Sequence, residues 1–169
     1  MLVRRTALER IGGIAAIRGE LIDDCALAAA IKPGGSIWLG LTEHAHSLRD
    51  YNSFGEIGRM ISRTAFTQLR HSWLLLFATL IGLAVIFVAP PLLLLTRDPV
   101  AVLLGLAAWI LMSISYLPML RFYGRSPAWA PLLPLIALLY MGATLDSALR
   151  YSTGRGGEWK GRVQDIQSS

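Results

Sequence analysis

The sequence predicts an α-helical membrane protein with a small α/β portion on its cytoplasmic side. Three observations lead there. Of 169 residues, 54% are hydrophobic and 16% charged, where a soluble domain carries about a quarter charged. The charge is uneven: residues 1–71 hold nine Lys/Arg and seven Asp/Glu, whereas residues 72–149 hold only Arg97, Asp98, Arg121, Arg125 and Asp146. Three uncharged runs, Trp73–Leu95, Pro99–Leu120 and Ser126–Leu145, are long enough for the hydrocarbon core, which takes roughly 20 residues to cross.

These features divide the chain into residues 1–53, 54–71, 72–149 and 150–169. Thr6-Ala-Leu-Glu9 has the pattern of a capping box, with Thr6 at the N-cap and Glu9 reaching back. Gly12-Gly13 ends that short helix. A second helix is expected from about Asp23 through "CALAAAIK", stopping at Pro33-Gly34-Gly35. Ser36–Thr42, "SIWLGLT", reads as a strand: it has β-formers and is bounded by glycines. "EHAHSLRDYNS" reads as a polar loop.

Phe54–Arg70 reads as an amphipathic helix. Phe54, Ile57, Ile61, Ala65 and Leu69 recur at steps of three and four. Arg59, Arg63 and Arg70 fall together on the opposite side at about 100° per residue. An apolar stripe with a basic back suits a helix lying in the membrane interface.

The membrane segments are drawn at about 73–95, 99–120 and 126–147. Pro90-Pro91 should end or kink the first near Ala89. "TRDP" is a tight turn. "RFYGRSP" carries Arg121 and Arg125, which the positive-inside rule places in the cytoplasm together with residues 1–71. The tail conflicts with this: its four Lys/Arg against two acids favour the cytoplasm, but three crossings put it outside. Either the charge rule loses there, or the third run, with Pro127, Pro131 and Pro134, does not fully span.

Composition also excludes some functions. Cys25 is the only cysteine, so no intrachain disulfide forms. The net charge of +5 lies mainly beside apolar segments, which suits anionic lipid rather than nucleic acid. The start, "MLVRRTALERIGG", lacks the apolar core of a signal peptide.

Few residues are candidates for chemistry. Asp23 and Asp24 point about 100° apart on a helix and do not face each other. One can cap the helix, where the dipole favours negative charge. The other is then left to point into a cleft. The plainer alternative is that both decorate a helix start. Arg59, Arg63 and Arg70 either contact lipid phosphates or clamp a diphosphate, since guanidinium forks suit phosphate oxygens. His44-x-His46 has nothing nearby to complete a metal site. Asp146 has Arg150 one turn on and reads as half of an interfacial ion pair. Trp73 and Trp129 suit aromatic anchors near segment ends. Neither Gly12-Gly13 nor Gly34-Gly35 has the spacing of a phosphate loop.

On these residues the chain resembles a known group. "RRTALERIGGIAAIRGELIDDCALAAAIKPGGSIWLGL" is similar to the acceptor half of family 2 inverting glycosyltransferases of the GT-A fold. There an arginine-flanked helix leads to Gly-Gly, then an acid followed by Asp, a helix with "LA", a glycine and a strand. "RTAFTQLRHS", "LRFYGRSP", "TLDSALR" and "GRGGEWKGRV" resemble the hopene-associated glycosyltransferases of bacterial hopanoid clusters. Two departures stand out. Many membrane-bound members carry Gln/Arg-x-x-Arg-Trp, and in Met60-Ile61-Ser62-Arg63-Thr64 only Arg63 matches. The metal-binding Asp-x-Asp of the nucleotide-binding half occurs nowhere.

The resemblance implies a membrane-bound enzyme of the bacterial inner membrane with its catalytic portion in the cytoplasm. It would move a sugar from a nucleotide-sugar donor to a lipid acceptor, which the hopene-associated motifs link to hopanoids. Asp24 takes the place of the general base and Asp23 that of the acid before it, supporting the helix start. Arg63, with Arg59, would bind the donor's diphosphate. A divalent metal, Mg or Mn, is expected only through a missing N-terminal half, so that Met1 is an internal methionine and this chain alone is inactive. No nucleic-acid partner is expected. A different class stays open: a non-catalytic membrane anchor or assembly module. A small transporter is a weaker option, because the membrane runs lack paired charges.

Overall fold

The computed structural model describes residues 1–42, 44 and 53–154. The chain divides into two compact units, Met1–Asp50 with Arg150–Ser169, and Tyr51–Leu149.

The first unit is built from short helices. Helix α1 is Arg5–Arg10, and Arg4, not Thr6, holds its N-cap without a side-chain bond. The expected capping box does not form, because Arg5 Nε donates to Glu9 Oε1 at 2.7 Å. Thr6 also lies inside the helix, so it cannot act as the N-cap that the box requires; on an exposed surface the Arg5–Glu9 pair contributes little stability. The glycine stop is as expected. Gly12 and Gly13 have φ of 86° and 80°, and the Gly13 N–H donates to the Leu8 carbonyl at 2.9 Å. A 3-10 turn at Ile14–Ile17 follows.

Helix α2 is Asp23–Ile31, running into a 3-10 turn at Lys32–Gly34. The Arg10 guanidinium lies against Gly34, in the space a Cβ would fill. Neither helix buries a residue.

The strand expected over Ser36–Thr42 does not form. Residues 35–42 have no regular structure, and no strand occurs among the described residues. Trp38 is 87% and Leu39 98% exposed. β-Formers express a preference for a half-buried pleated surface, and a strand also needs a neighbour to complete its hydrogen-bond ladder. The expected α/β portion is therefore helical and irregular where it is described. His46 and most of the expected polar loop lie outside the described residues.

The second unit begins with α3, Phe54–Gln68, capped by Ser53 Oγ, which accepts the Glu56 N–H at 3.2 Å. It ends two residues earlier than the pattern suggested, because Arg70 and His71 turn left-handed, with φ of 52° and 54°. The His71 N–H donates to the Phe66 carbonyl at 3.0 Å and closes the turn. Ser72 then caps the next helix, with Oγ accepting the Leu75 N–H at 3.3 Å. Phe66 packs in this corner, its ring 5.6 Å from His71 and 5.4 Å from Trp73.

Three helical stretches are long and apolar enough to cross a membrane: Trp73–Leu93, Pro99–Phe122 and Pro127–Ser152. The first runs as α4, Trp73–Leu83, a π-helical stretch, Ala84–Val88, and α5, Ala89–Leu93. Pro90-Pro91 does not end it. The disturbance lies one turn earlier, where the helix widens. A proline offers no N–H and crowds the carbonyl four residues back, and a π stretch accommodates the displaced ladder.

Asp98 caps α6, Pro99–Phe122, its two carboxylate oxygens accepting the Val100 and Ala101 N–H groups at 3.1 and 3.3 Å. Gly105 sits where a Cβ would come within 2.7 Å of the Pro90 carbonyl, so α5 and α6 approach closely at that point.

In the third stretch, Pro127 and Pro131 lie in a 3-10 segment, Pro127–Leu132, that leads directly into α7, Leu133–Ser152. Prolines are tolerated in a first turn, whose N–H groups have no helical partner. The third run is thus long enough to span. Helix α7 buries Pro134, Ala137, Ala143, Thr144, Ser147 and Ala148, a face of small residues that lets a neighbouring backbone come close.

Candidate functional site

The two aspartates come together at the mouth of α2. Ile22 occupies the N-cap, so Asp23 is the first helical residue rather than the one before it. Its Oδ1 accepts the Asp24 N–H at 3.0 Å, and Asp24 Oδ1 accepts the Cys25 N–H at 2.8 Å. Both carboxylates thus take up N–H groups of the first turn, which has no internal partners for them. Both are exposed. Cys25 is exposed as well. Desolvation, then the charge of Asp24 and a hydrogen bond to it, hold the Cys25 thiol above its ordinary range. A thiol so placed is a poor nucleophile.

The arginines sit in the second unit. On α3 the buried residues are Ser62, Ala65 and Phe66. This packed stripe is rotated by about 80° from the expected apolar stripe. Phe54 and Ile57 of the expected stripe remain 68% and 38% exposed, while Phe66, outside that stripe, is the large side chain the helix buries. Arg59 is exposed, and its guanidinium reaches back over Gly55. Arg63, one turn on, is half-buried with Nε out of contact with solvent. The expected basic back is therefore split. Arg59 faces water, Arg63 borders the packed stripe, and Arg70 lies beyond the helix end in the left-handed turn.

The reason for the rotation is a contact that the sequence reading missed. Ser62 Oγ donates to the Ala143 carbonyl at 3.1 Å, and the Phe66 N–H donates to Ser147 Oγ at 3.0 Å. Two serines thus fasten α3 to α7. The spacing of Ala143 with Ser147 was the signal available: small residues four apart mark close helix contacts.

Burial lowers the His71 imidazole below its ordinary value, and Nε2 lies 3.4 Å from Thr67 Oγ1. His44 is exposed, and its N–H donates to Thr42 Oγ1 at 3.1 Å. Asp146 is half-buried on α7. Among the described residues no group of three His, Cys, Asp or Glu is placed to hold a metal. The divalent ion that the resemblance implies was expected from a portion outside this chain, so these residues do not bear on it.

An amphipathic helix fastened to the last of three apolar helices, each long enough to cross a bilayer, defines the architecture of a helical membrane protein. The chain belongs to glycosyl transferase family 21, whose family model matches residues 1–168. No curated protein and no solved structure gave a match. The family is one of sugar-transferring enzymes, as the motifs suggested, but the matched family is 21 and not the hopene-associated group of family 2.

Proposed function

We propose that the chain is the acceptor-side and membrane portion of a glycosyltransferase that moves a sugar from a nucleotide-sugar donor to a membrane lipid, with inversion. The family match over residues 1–168 carries this reading. The narrower form, a hopanoid-linked acceptor, rests on the motif resemblance alone.

In the proposed reaction the acceptor hydroxyl oxygen bonds to the anomeric carbon while the bond from that carbon to the diphosphate breaks. The hydroxyl proton passes to the Asp24 carboxylate, which must come within hydrogen-bond reach of it. The position of Asp24 on the first turn of α2 supports this role, since its Oδ1 is fixed by the Cys25 N–H. Asp23 holds the first turn by accepting the Asp24 N–H. The diphosphate leaves with one more negative charge than it carried in the donor, and balancing that charge is work suited to the guanidiniums of Arg59 and Arg63.

The donor's nucleotide is held, on this reading, by a further folded portion packed against the first unit. The exposure of Ile14, Trp38 and Leu39 supports it, since large apolar side chains left in water suit a surface that a partner covers. The inner membrane, with residues 1–71 on the cytoplasmic side, is the proposed location, where cytoplasmic nucleotide sugars meet lipid.

The test is an assay of membranes containing the native full-length protein against a panel of labelled nucleotide sugars, followed by identification of any labelled lipid. Label in a lipid extract with one donor supports the reading. No labelled lipid with any donor, in membranes where the protein is present and folded, favours a non-catalytic anchor.

A further inference from the structure

Within the second unit, α6 and the 3-10 segment Pro127–Leu132 line an open groove of about 340 Å³. Its walls include Trp109, Ile114 and Leu117 from α6 and Pro127, Ala130 and Pro131 from the segment. It is in the size range of small-ligand sites, and it lies along a helix long and apolar enough to sit in lipid.

The polar atoms in the walls are already committed. Trp109 Nε1 donates to the Pro131 carbonyl at 3.0 Å, and Ser113 Oγ, which also lines the groove, donates to the Trp109 carbonyl at 2.8 Å. No side-chain N–H or O–H in the walls is left to donate to a polar ligand. A hydrocarbon chain loses nothing by entering such a site, whereas a sugar or nucleotide would leave its own polar groups unsatisfied.

Arg121 and Arg125 lie in sequence between Leu117 and Pro127 of the groove's walls. Leu117 and Arg121 are four residues apart on α6, so they share a face and are about 6 Å apart along the axis. Gly124, with φ of 59°, turns the chain back. The Arg125 N–H then donates to the Leu120 carbonyl at 2.8 Å, which holds Arg125 at the end of α6. Pro127, in the opposite wall, follows two residues later. Both arginines are exposed, and neither has an ion-pair partner among the described residues. An apolar trough thus opens beside two uncompensated guanidiniums at the end of a membrane-length helix.

We propose that this groove seats one acyl chain of an anionic glycerophospholipid whose phosphate is held by Arg121 and Arg125. Phosphate oxygens match the guanidinium fork, and the chain below it matches the trough. The site is separate from the proposed sugar-transfer residues and does not depend on that reading.

The test is lipid retention by the purified full chain in nanodiscs of equal phosphatidylglycerol and phosphatidylcholine with identical oleoyl chains. Lipid still bound after mild detergent extraction is counted by native mass spectrometry. Wild type should retain phosphatidylglycerol in preference. Arg121→Gln and Arg125→Gln should each reduce that preference about fivefold while leaving helical content unchanged. Ser113→Leu, which fills the trough without altering charge, should lose the bound lipid altogether. Equal retention of the two lipids by wild type overturns the proposal. So does an unchanged preference in both arginine variants. A Ser113→Leu protein that keeps its lipid but changes its subunit number would assign the groove to a second copy of the chain and would also overturn it.

Discussion

The backbone N–H of Phe66 donates to Ser147 Oγ at 3.0 Å, joining helices whose contacting residues are 81 apart in sequence. With Ser62 Oγ donating to the Ala143 carbonyl at 3.1 Å, this pair fixes which side of α3 faces the membrane-length helices. It therefore also sets where Arg59 and Arg63 can reach.

If the serines fasten α3, removing one should cost modestly and filling the contact should cost more. Ser147→Ala is expected to lower stability by about 1 kcal/mol. Ala148, fully buried on the same face, should be less forgiving, with Ala148→Leu costing about 1–3 kcal/mol through overpacking. Thermal unfolding in detergent, followed by circular dichroism, measures both. Equal midpoints for the two variants and wild type would show that α3 is not held there.

The close approach of α5 and α6 rests on Gly105. A Cβ at that position would come within 2.7 Å of the Pro90 carbonyl, a backbone atom that cannot swing aside. Gly105→Leu is expected to destabilise the protein by about 1–3 kcal/mol. Gly82, whose added Cβ would meet nothing within 4 Å, is the control: Gly82→Ala should be neutral or stabilising, since alanine favours the helix. The same unfolding midpoints decide it.

The corner between α3 and α4 should be acid-sensitive. Burial lowers the His71 imidazole below its ordinary value, which for an unperturbed histidine is about 6.5. As pH falls, the unfolded chain takes up this proton before the folded one does, so acid favours unfolding. The contribution is complete above the ordinary value and is lost as pH falls through the lowered one. The unfolding midpoint should therefore drop between pH 7.5 and 5.5, and His71→Gln should flatten the drop. An identical pH profile in that variant would remove His71 as the cause.

The mouth of α2 offers a chemical readout of its own. Because desolvation and then Asp24 hold the Cys25 thiol above its ordinary range, Cys25 should react with maleimide several-fold more slowly at pH 7.5 than a free thiol. Asp24→Asn removes the adjacent charge, so its Cys25 should react faster than wild type. A rate indifferent to that substitution would mean the carboxylate does not sit against the thiol.

Much of this architecture was legible in the sequence because membrane spans are written as long uncharged runs, which need no knowledge of their neighbours. The helix stop at Gly12-Gly13 is similarly local. Features that depend on a distant partner were not legible. Ser36–Thr42 has the residues of a strand but no ladder beside it. The orientation of α3 follows from Ser147, far along the chain, so Ile57 looked inward and Arg63 outward by periodicity alone. The prolines of the first span were readable as a disturbance, but not as a π stretch placed before them. For the site, the adjacent carboxylates could be read from sequence, and their hydrogen bonds to the first turn could not.

The account turns on which carboxylate takes the acceptor's proton. The direct measurement is steady-state turnover of the full-length enzyme in membranes, with Asp24→Asn and Asp23→Asn compared at matched protein levels. Asp24→Asn should lower turnover by about 10²–10⁴-fold, the usual scale for loss of a general base, while leaving affinity for the nucleotide sugar nearly unchanged. Asp23→Asn should keep most of its activity. Turnover at the wild-type level in Asp24→Asn would contradict the assignment.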